Sequence, residues 1–505
     1  MKKILTKSTP GTENAGLLAL IIGTLLIAIT FASQRIGAAL TLGALATLAF
    51  ATAVIMWSRA FALLGYFLLY SNALVAAGLY LPKLAGIVAA VPLILFVVRI
   101  CDIHVLKREP MRIDTVFSLM LGFLAVLLAS SFMAEDLSIA IREVVIFVVE
   151  GLGLYLLTLN IVRTPDMLKR VLWSVLLAGA LLGSLSLIQA ATGNLEQDFG
   201  GLAQRRVDPS IGTATSDADA RAKAVLSDRA LGSVGDPNRY GQLMLVLLPW
   251  AIFLFYVART RAARRTLLLL AGLVLAGIVL THSRGAFVTL LGLGTLMCFL
   301  GVVRARLMAS LFLPVMVVAV LVAPSYLSRI QSIADVSDLF AKQQSRDKDQ
   351  VIRGRATEML AAFHVFRDHP VLGVGPGQYA PFYSLKYQDL PEVKYRLINR
   401  PRRAHSLYLE MAAETGFIGL ALFLSMPIYL LVQFWKIRAR WLDRAPDIAL
   451  AATTMGLSLL AYLGTGVFLH LAYARYYWFL LAICGATLQL IRQFERQAQS
   501  AAATA

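Results

Sequence analysis

The sequence predicts an all-α, polytopic integral membrane protein of about 12–14 transmembrane helices, with one large, partly helical loop outside the membrane. Three observations carry that expectation. Of the 505 residues, 58% are hydrophobic and 15% charged, where a soluble domain has about 25% charged residues. Apolar runs of roughly 18 residues or more, long enough to cross a bilayer as helix, recur along most of the chain. They are continuous rather than alternating, which excludes a closed β-barrel.

The candidate spans are 15–33, 36–57, 60–81, 83–100, 113–133, 138–162, 171–192, 240–258, 266–281, 285–303, 307–323, 405–434, 447–469 and 476–491. Ser71 and Asn72 interrupt the third, which reads as a broken or re-entrant helix. The first is expected to be an uncleaved signal anchor, despite Lys2, Lys3 and the small residues near Ala32 that resemble a signal peptide. Lys and Arg set the orientation. One side carries Lys2, Lys3 and Lys7, then Arg59, then Arg99, Lys107, Arg108 and Arg112, then Arg163, Lys169 and Arg170. It continues with Arg259, Arg261, Arg264, Arg265, Arg304, Arg306, Lys436, Arg438, Arg440, Arg444, Arg492 and Arg496. The short loops opposite hold only Arg35, Lys83, Arg284 and Arg475. The basic side is therefore read as cytoplasmic, with both termini there.

This divides the chain into N-terminal helices (1–192), an outer loop (193–239), further helices (240–323), a large outer loop (324–404) and C-terminal helices (405–505). The net charge of +18 expresses the sidedness and contact with anionic lipid heads, so membrane lipids and no nucleic acid are expected as partners. Cys101, Cys298 and Cys484 give neither a disulfide framework in the outer loops nor zinc-type spacing, so no metal is expected.

In the first outer loop, Asp208 to Asp228 is rich in Ser, Thr, Ala and Asp. In the second, Ala356, Leu360, Phe363 and Phe366 make an apolar stripe at helical spacing between Arg355 and Asp368. Pro370 ends that helix, and Gly373-Val374-Gly375-Pro376-Gly377 reads as a tight turn. It lacks the GKS/T ending of a phosphate loop.

Several polar residues fall on the outer side from separate segments: Asp236 in Gly235-Asp236-Pro237-Asn238, Arg284 in Ser283-Arg284-Gly285-Ala286, and Arg400, Arg402, Arg403 and His405 before the long span. His470 and Arg475 join them. Arg284 stands in a hairpin too short to leave the membrane surface, and its forked donors suit phosphate; an arginine snorkelling to lipid heads is the alternative. Basic residues at a helix start oppose the macrodipole unless an anion binds there, the alternative being a lipid-facing collar. Dipole and arginines would keep His405 neutral, the state a general base requires; an ordinary capping histidine is the other possibility. Glu410 and Glu414, one turn apart, are expected near the interface, Glu414 tying its helix to a neighbour rather than orienting His405. Arg142, Glu143 and Glu150 in the sixth span read as intramembrane ion-pair residues.

With Ser283 to Ala286, His369-Pro370 through Gly377, and His405-Ser406 through Glu414-Thr415-Gly416, the sequence resembles the O-antigen ligase superfamily, which includes Wzy-type polysaccharide polymerases and protein O-oligosaccharyltransferases. Gly235-Asp236-Pro237-Asn238 is similar to a segment of its exopolysaccharide-type members. The motifs cover roughly 230–435; the remainder is similar in hydropathy alone. The resemblance implies a bacterial inner-membrane glycosyltransferase, working on the periplasmic face without cofactor or metal. Its donor would be a glycan on a polyprenyl (undecaprenyl) pyrophosphate, and transfer would invert the anomeric centre. On that resemblance His405 would deprotonate the acceptor hydroxyl, and Arg284 with Arg402 or Arg403 would hold the pyrophosphate. Arg400, Asp236 and Arg142 join as candidate donor-binding residues, with Glu410 and Glu414 as structural neighbours. The acceptor stays open among lipid A core, a second lipid-linked glycan and a protein hydroxyl. A polysaccharide or lipid transporter, the competing class, would carry an internal repeat and a midplane polar path.

Overall fold

The computed structural model describes residues 57–80, 83, 85–194, 197–204, 229–304, 306, 350–391, 393 and 401–504. The candidate spans 15–33 and 307–323, all but the last residue of 36–57, and Arg400 lie outside the described residues. The chain divides into two compact units, Met1–Phe61 and Ala62–Ala505, and the second carries the helix bundle.

Among the described residues the structure is helical without strands. Its main helices are α1 (Ser58–Ser71), α2 (Ala73–Tyr80), α3 (Ala85–Cys101), α4 (Thr115–Ser131), α5 (Leu137–Ile161, with a π-helical turn at Phe147–Gly153) and α6 (Pro165–Thr192). They continue with α7 (Pro237–Val257), α8 (Arg261–Leu280), α9 (Arg284–Phe299), α10 (Gln350–Asp368), α11 (Leu407–Trp441), α12 (Pro446–Gly466) and α13 (Arg475–Thr504). Six of these, α5, α6, α7, α8, α11 and α12, are long and apolar enough to cross a membrane. The chain is a multi-pass membrane protein. The expected break between α1 and α2 is present, with Asn72 in the left-handed region at φ 59°.

Helix starts follow side-chain capping chemistry. Thr164, Thr260, Ser283 and Ser406 each accept a backbone N–H of the turn after them, as do Asp114, Asp136 and Asp236. Pro165 and Pro237 occupy first-turn positions, where the missing N–H costs nothing. One large apolar core runs through the bundle, with Trp250, Trp478, Tyr477 and Phe479 fully enclosed.

Connections separate to two ends, as the charge asymmetry predicts. At the basic end Asp102 pairs with Arg99 and with Lys107 (3.0 Å), Glu109 with Arg163 (2.5 Å), and Glu495 with Arg440 (2.9 Å). Segments from the opposite side meet at the other end. There Asn72 donates to Ser233 O (2.8 Å), Tyr473 to Val234 O (2.8 Å) and Arg403 to Leu471 O (3.1 Å).

A second, smaller core gathers Ala361, Ala362, Val365, Val374, Tyr379 and Ala413. It docks α10 on α11 at the end away from the basic loops. The expected stripe is corrected here: the buried face of α10 runs through Thr357, Glu358, Ala361, Ala362 and Val365, and Phe363 is 46% exposed. Close approach to α11 selects small side chains, so residue size and not hydrophobicity fixes the buried face.

The glycine turn explains the break in α11. Gly416 has φ 66° and ψ −168°, which frees backbone groups on both sides of it. Val374 N–H then donates to Ala413 O (3.0 Å), Gly375 N–H to Glu414 O (3.0 Å), and Phe417 N–H to Pro370 O (2.7 Å). Ser130 Oγ bridges Leu372 O (2.6 Å) and Glu414 O (2.8 Å). A Cβ on Gly416 would lie 2.2 Å from Val371 O, and one on Gly373 would lie 2.4 Å from the Glu414 carbonyl carbon. These glycines serve backbone docking, in keeping with a turn and not a phosphate loop.

Candidate active site

The chain emerging from the second core turns sharply at His405 (φ 48°) before Ser406 caps α11. His282 (φ 48°) and Tyr473 (φ 51°) take the same left-handed conformation at neighbouring connections of this end. Such positions cost on the order of 1–3 kcal/mol and cluster at functional sites.

His405 meets α10. Its Nε2 lies 3.5 Å from Oε2 of Glu358, whose side chain is 1% exposed, while Oε1 of the same carboxylate takes Nη1 of Arg402 at 3.2 Å. The His405 ring stands edge-on to His470 at 5.7 Å between centroids. Burial first, then the guanidiniums of Arg355 and Arg239, hold the His405 pKa down from 6.5 to about 3. The imidazole is therefore neutral at physiological pH. With Nε2 directed at a carboxylate, the proton belongs on Nε2 and the lone pair on Nδ1. That Nδ1 is buried and has no hydrogen-bond partner among the described residues.

Burial and then Arg239, Arg403 and His405 push His470 well below 6.5 as well. Arg239 grips it twice, through the ring Nε2 and, at 3.1 Å, through His470 O. His470 thereby anchors the loop before α13, and its ring walls the site.

Arg355, on the first turns of α10, lies within electrostatic reach of Glu358, Asp236 and Arg284. Burial pushes its pKa below the usual arginine value, and Arg284 adds to that shift. Neither Arg284, the first residue of α9, nor Arg355 has a hydrogen bond or ion pair to a described residue. Arg284 and Arg355 are half-buried guanidiniums outside any ion pair to a described residue, Arg355 beside the neutral His405, an arrangement whose chemistry suits an anion. The N-termini of α7, α9 and α11 open at this end and add their positive dipoles. Among the described residues no group of three or more His, Cys, Asp and Glu is arranged to hold a metal ion.

The expected residues divide into those brought together and those that are not. His405, Arg284, Arg402, Arg403 and Asp236 gather at one end of the bundle, with His470 and Arg475. Arg403 is committed: it pairs with Glu410 through Nε (2.8 Å) and Nη2, and Glu410 also accepts Ala404 N–H (3.0 Å). Asp236 works as a cap, accepting Asn238 N–H (2.8 Å) and Arg239 N–H (2.9 Å). Arg142 is 60% exposed and pairs with adjacent Glu143 at 3.4 Å, on the outer surface of α5. Glu150 pairs with Arg475 at 3.7 Å.

Sequence reasoning missed Arg355, Glu358 and Arg239. The first two stand three residues apart on one face of a helix otherwise read for its apolar stripe. That polar pair, one turn apart in an outer loop, was the available signal. Arg239 sits just inside an apolar span after Asp236-Pro237, where a buried cation needs a reason.

Beside the His405 cluster, across the Arg403–Glu410 pair, lies a cavity of about 250 Å³ between α4, α5, α11, α13 and the glycine turn. Residues 266–424 match the family model described as O-Antigen ligase, a stretch holding Arg284, Arg355, Glu358 and His405. The match covers under a third of the chain and supports an O-antigen ligase-like function in polysaccharide biosynthesis. No match was found among curated proteins.

Proposed function

We propose that this chain, with its O-antigen ligase segment at residues 266–424, is a membrane glycosyltransferase that moves a glycan from undecaprenyl pyrophosphate to an acceptor hydroxyl. One observation carries the reading: Arg355, with Arg284 in electrostatic reach, stands next to a neutral His405 whose Nδ1 has no described partner, and neither arginine is ion-paired among the described residues.

In the proposed step His405 Nδ1 removes the acceptor hydroxyl proton while the oxygen attacks the anomeric carbon. The bond from that carbon to the pyrophosphate oxygen breaks, and the lipid pyrophosphate leaves with the electron pair. Arg284 and Arg355 stabilise the charge that develops on it. Attack opposite the leaving group inverts the anomeric centre. Glu358, a positioning residue, holds Nε2–H and stabilises the imidazolium, the logic of a carboxylate–histidine pair. Arg402 shares that carboxylate and tethers it. A pyrophosphate ester is already activated, so the step needs no ATP.

The charge asymmetry supports a periplasmic position for this end, with both termini in the cytoplasm and the chain in a bacterial inner membrane. Lipid A core, a second lipid-linked glycan and a protein hydroxyl are acceptors of the same chemistry.

The test is reconstitution of the purified chain in vesicles with undecaprenyl-pyrophosphate glycan and each acceptor class. Transfer is expected without added nucleotide and is expected to vanish in His405→Ala, with the protein still folded and inserted. Undiminished transfer by that variant would remove the reading.

A further inference from the structure

Glu358 is not the only group that fixes a ring proton at this end. Arg239 is 6% exposed, and a buried guanidinium is expensive unless it is paired or hydrogen-bonded. Both of its described side-chain hydrogen bonds go to His470, one to the ring Nε2 and one to the backbone oxygen at 3.1 Å. A guanidinium only donates, so His470 Nε2 presents its lone pair. Burial and the charge of Arg239 keep the ring neutral, and its one proton therefore sits on Nδ1. His405 has the reverse tautomer, with Nε2–H toward Glu358 and the lone pair on Nδ1.

Backbone contacts hold the two rings near each other. Arg403, two residues before His405, donates to Leu471 O (3.1 Å), the residue after His470. His470 O also accepts the Ala472 N–H at 3.0 Å. The rings stand at 75° with centroids 5.7 Å apart, and both residues are partly exposed. Each Nδ1 is buried and lacks a hydrogen-bond partner among the described residues, so this donor and this acceptor do not bond each other. Buried polar atoms of opposite kind, left unmet side by side, call for one group that both donates and accepts. A hydroxyl does so. Its hydrogen goes to His405 Nδ1, one lone pair accepts His470 Nδ1–H, and the second lone pair is left to attack. An oxygen ~2.7–3.2 Å from each nitrogen spans a gap of this order. An ionised phosphate oxygen has no hydrogen for His405 and leaves that nitrogen unmet.

We infer that His470 is an acceptor-binding residue whose Nδ1–H holds the attacking hydroxyl oxygen while His405 takes its proton, and that Arg239 is the positioning residue that sets the His470 tautomer. The inference rests on the glycosyltransferase reading and deepens it: Arg284 and Arg355 take the pyrophosphate, and His470 aims the nucleophile. The hydroxyl proton passes to His405 Nδ1 as its oxygen bonds the anomeric carbon and the bond to pyrophosphate breaks. His470 keeps its own proton throughout.

The test has two arms. Solid-state ¹⁵N spectra of the full chain in nanodiscs, with imidazole signals assigned through His405→Ala and His470→Ala, read the tautomers without turnover. His470 should carry its proton on Nδ1 and His405 on Nε2; one tautomer shared by both rings, or a doubly protonated His470, would overturn the inference. In the reconstituted transfer assay, His470→Phe keeps a ring in the wall and loses the donor. It should lower kcat about 10²-fold, the scale of a misaimed nucleophile. His470→Asn, whose amide returns an N–H near the Nδ1 position, should stay within about tenfold of wild type. Glycan-free undecaprenyl pyrophosphate should bind wild type and both variants within about threefold of one another. Equal losses in the Asn and Phe variants, or weakened pyrophosphate binding in both, would make His470 a packing residue and overturn the inference. Transfer missing from the wild type sinks the glycosyltransferase reading; transfer kept by both the wild type and His470→Phe sinks this inference alone.

Discussion

The two ends of the helix bundle are both rich in arginine, and they treat it differently. At the basic end the two buried arginines are matched: Arg99 takes Asp102, which it shares with the exposed Lys107, and Arg163 takes Glu109 at 2.5 Å. Arg261, Arg264 and Arg265, on the same end, are exposed where lipid head groups and water solvate them. At the opposite end Arg403 and Arg402 are matched too, by Glu410 and Glu358. Arg284 and Arg355 are half-buried and have no described partner. Positive charge at one end accords with the proposed membrane orientation; at the other, where desolvation makes an unmatched guanidinium expensive, it accords with the proposed binding of an anion.

The sharpest way to break that contrast is to remove the unmatched arginines. Arg284→Ala or Arg355→Ala should each lower kcat for glycan transfer about 10³-fold, the scale of losing a preorganised charge stabiliser. The triple variant Arg261→Ala, Arg264→Ala, Arg265→Ala should leave kcat unchanged. Equal losses in both sets would mean the arginines act through the membrane and not through a site. Next in size, Glu358→Gln should cost on the order of 10²-fold in kcat with KM little altered, because the histidine loses the carboxylate that fixes its tautomer. A fall confined to protein yield would assign Glu358 a packing role only.

The smallest effect is in the pH profile. The folded chain holds His405 at about 3 against an ordinary 6.5. As pH falls below 6.5 the unfolded chain takes up a proton that the folded chain refuses until about 3. Stability from this group is full above 6.5 and declines as pH falls through that window. The acid limb of kcat/KM should correspondingly lie well below 6.5, and a limb near 6.5 would show that His405 is solvated as an ordinary histidine.

Helix parity made much of this legible. Counting spans put Arg284, Asp236, His405, His470 and Arg475 on one side, and the structure brings them to one end. The illegible part comes from two local events. The first is the docking of α10, which depends on Gly416 opening α11 to receive the 373–377 turn. No periodicity encodes that contact, and so Arg355 and Glu358 stayed unread. The second is the turn at His405: its φ of 48° folds Arg403 back onto Glu410, seven residues on. The length of the span set Glu410 and Glu414 near the interface, and left Arg403 free to be read as a pyrophosphate ligand.

Separating binding from chemistry tests the central claim most directly. Equilibrium binding of glycan-free undecaprenyl pyrophosphate should be compared in the wild-type chain, His405→Ala, and the double variant Arg284→Ala, Arg355→Ala. The account predicts that His405→Ala binds within about threefold of wild type though it transfers nothing, and that the arginine variant binds at least about tenfold more weakly. Wild-type affinity in the arginine variant would contradict it.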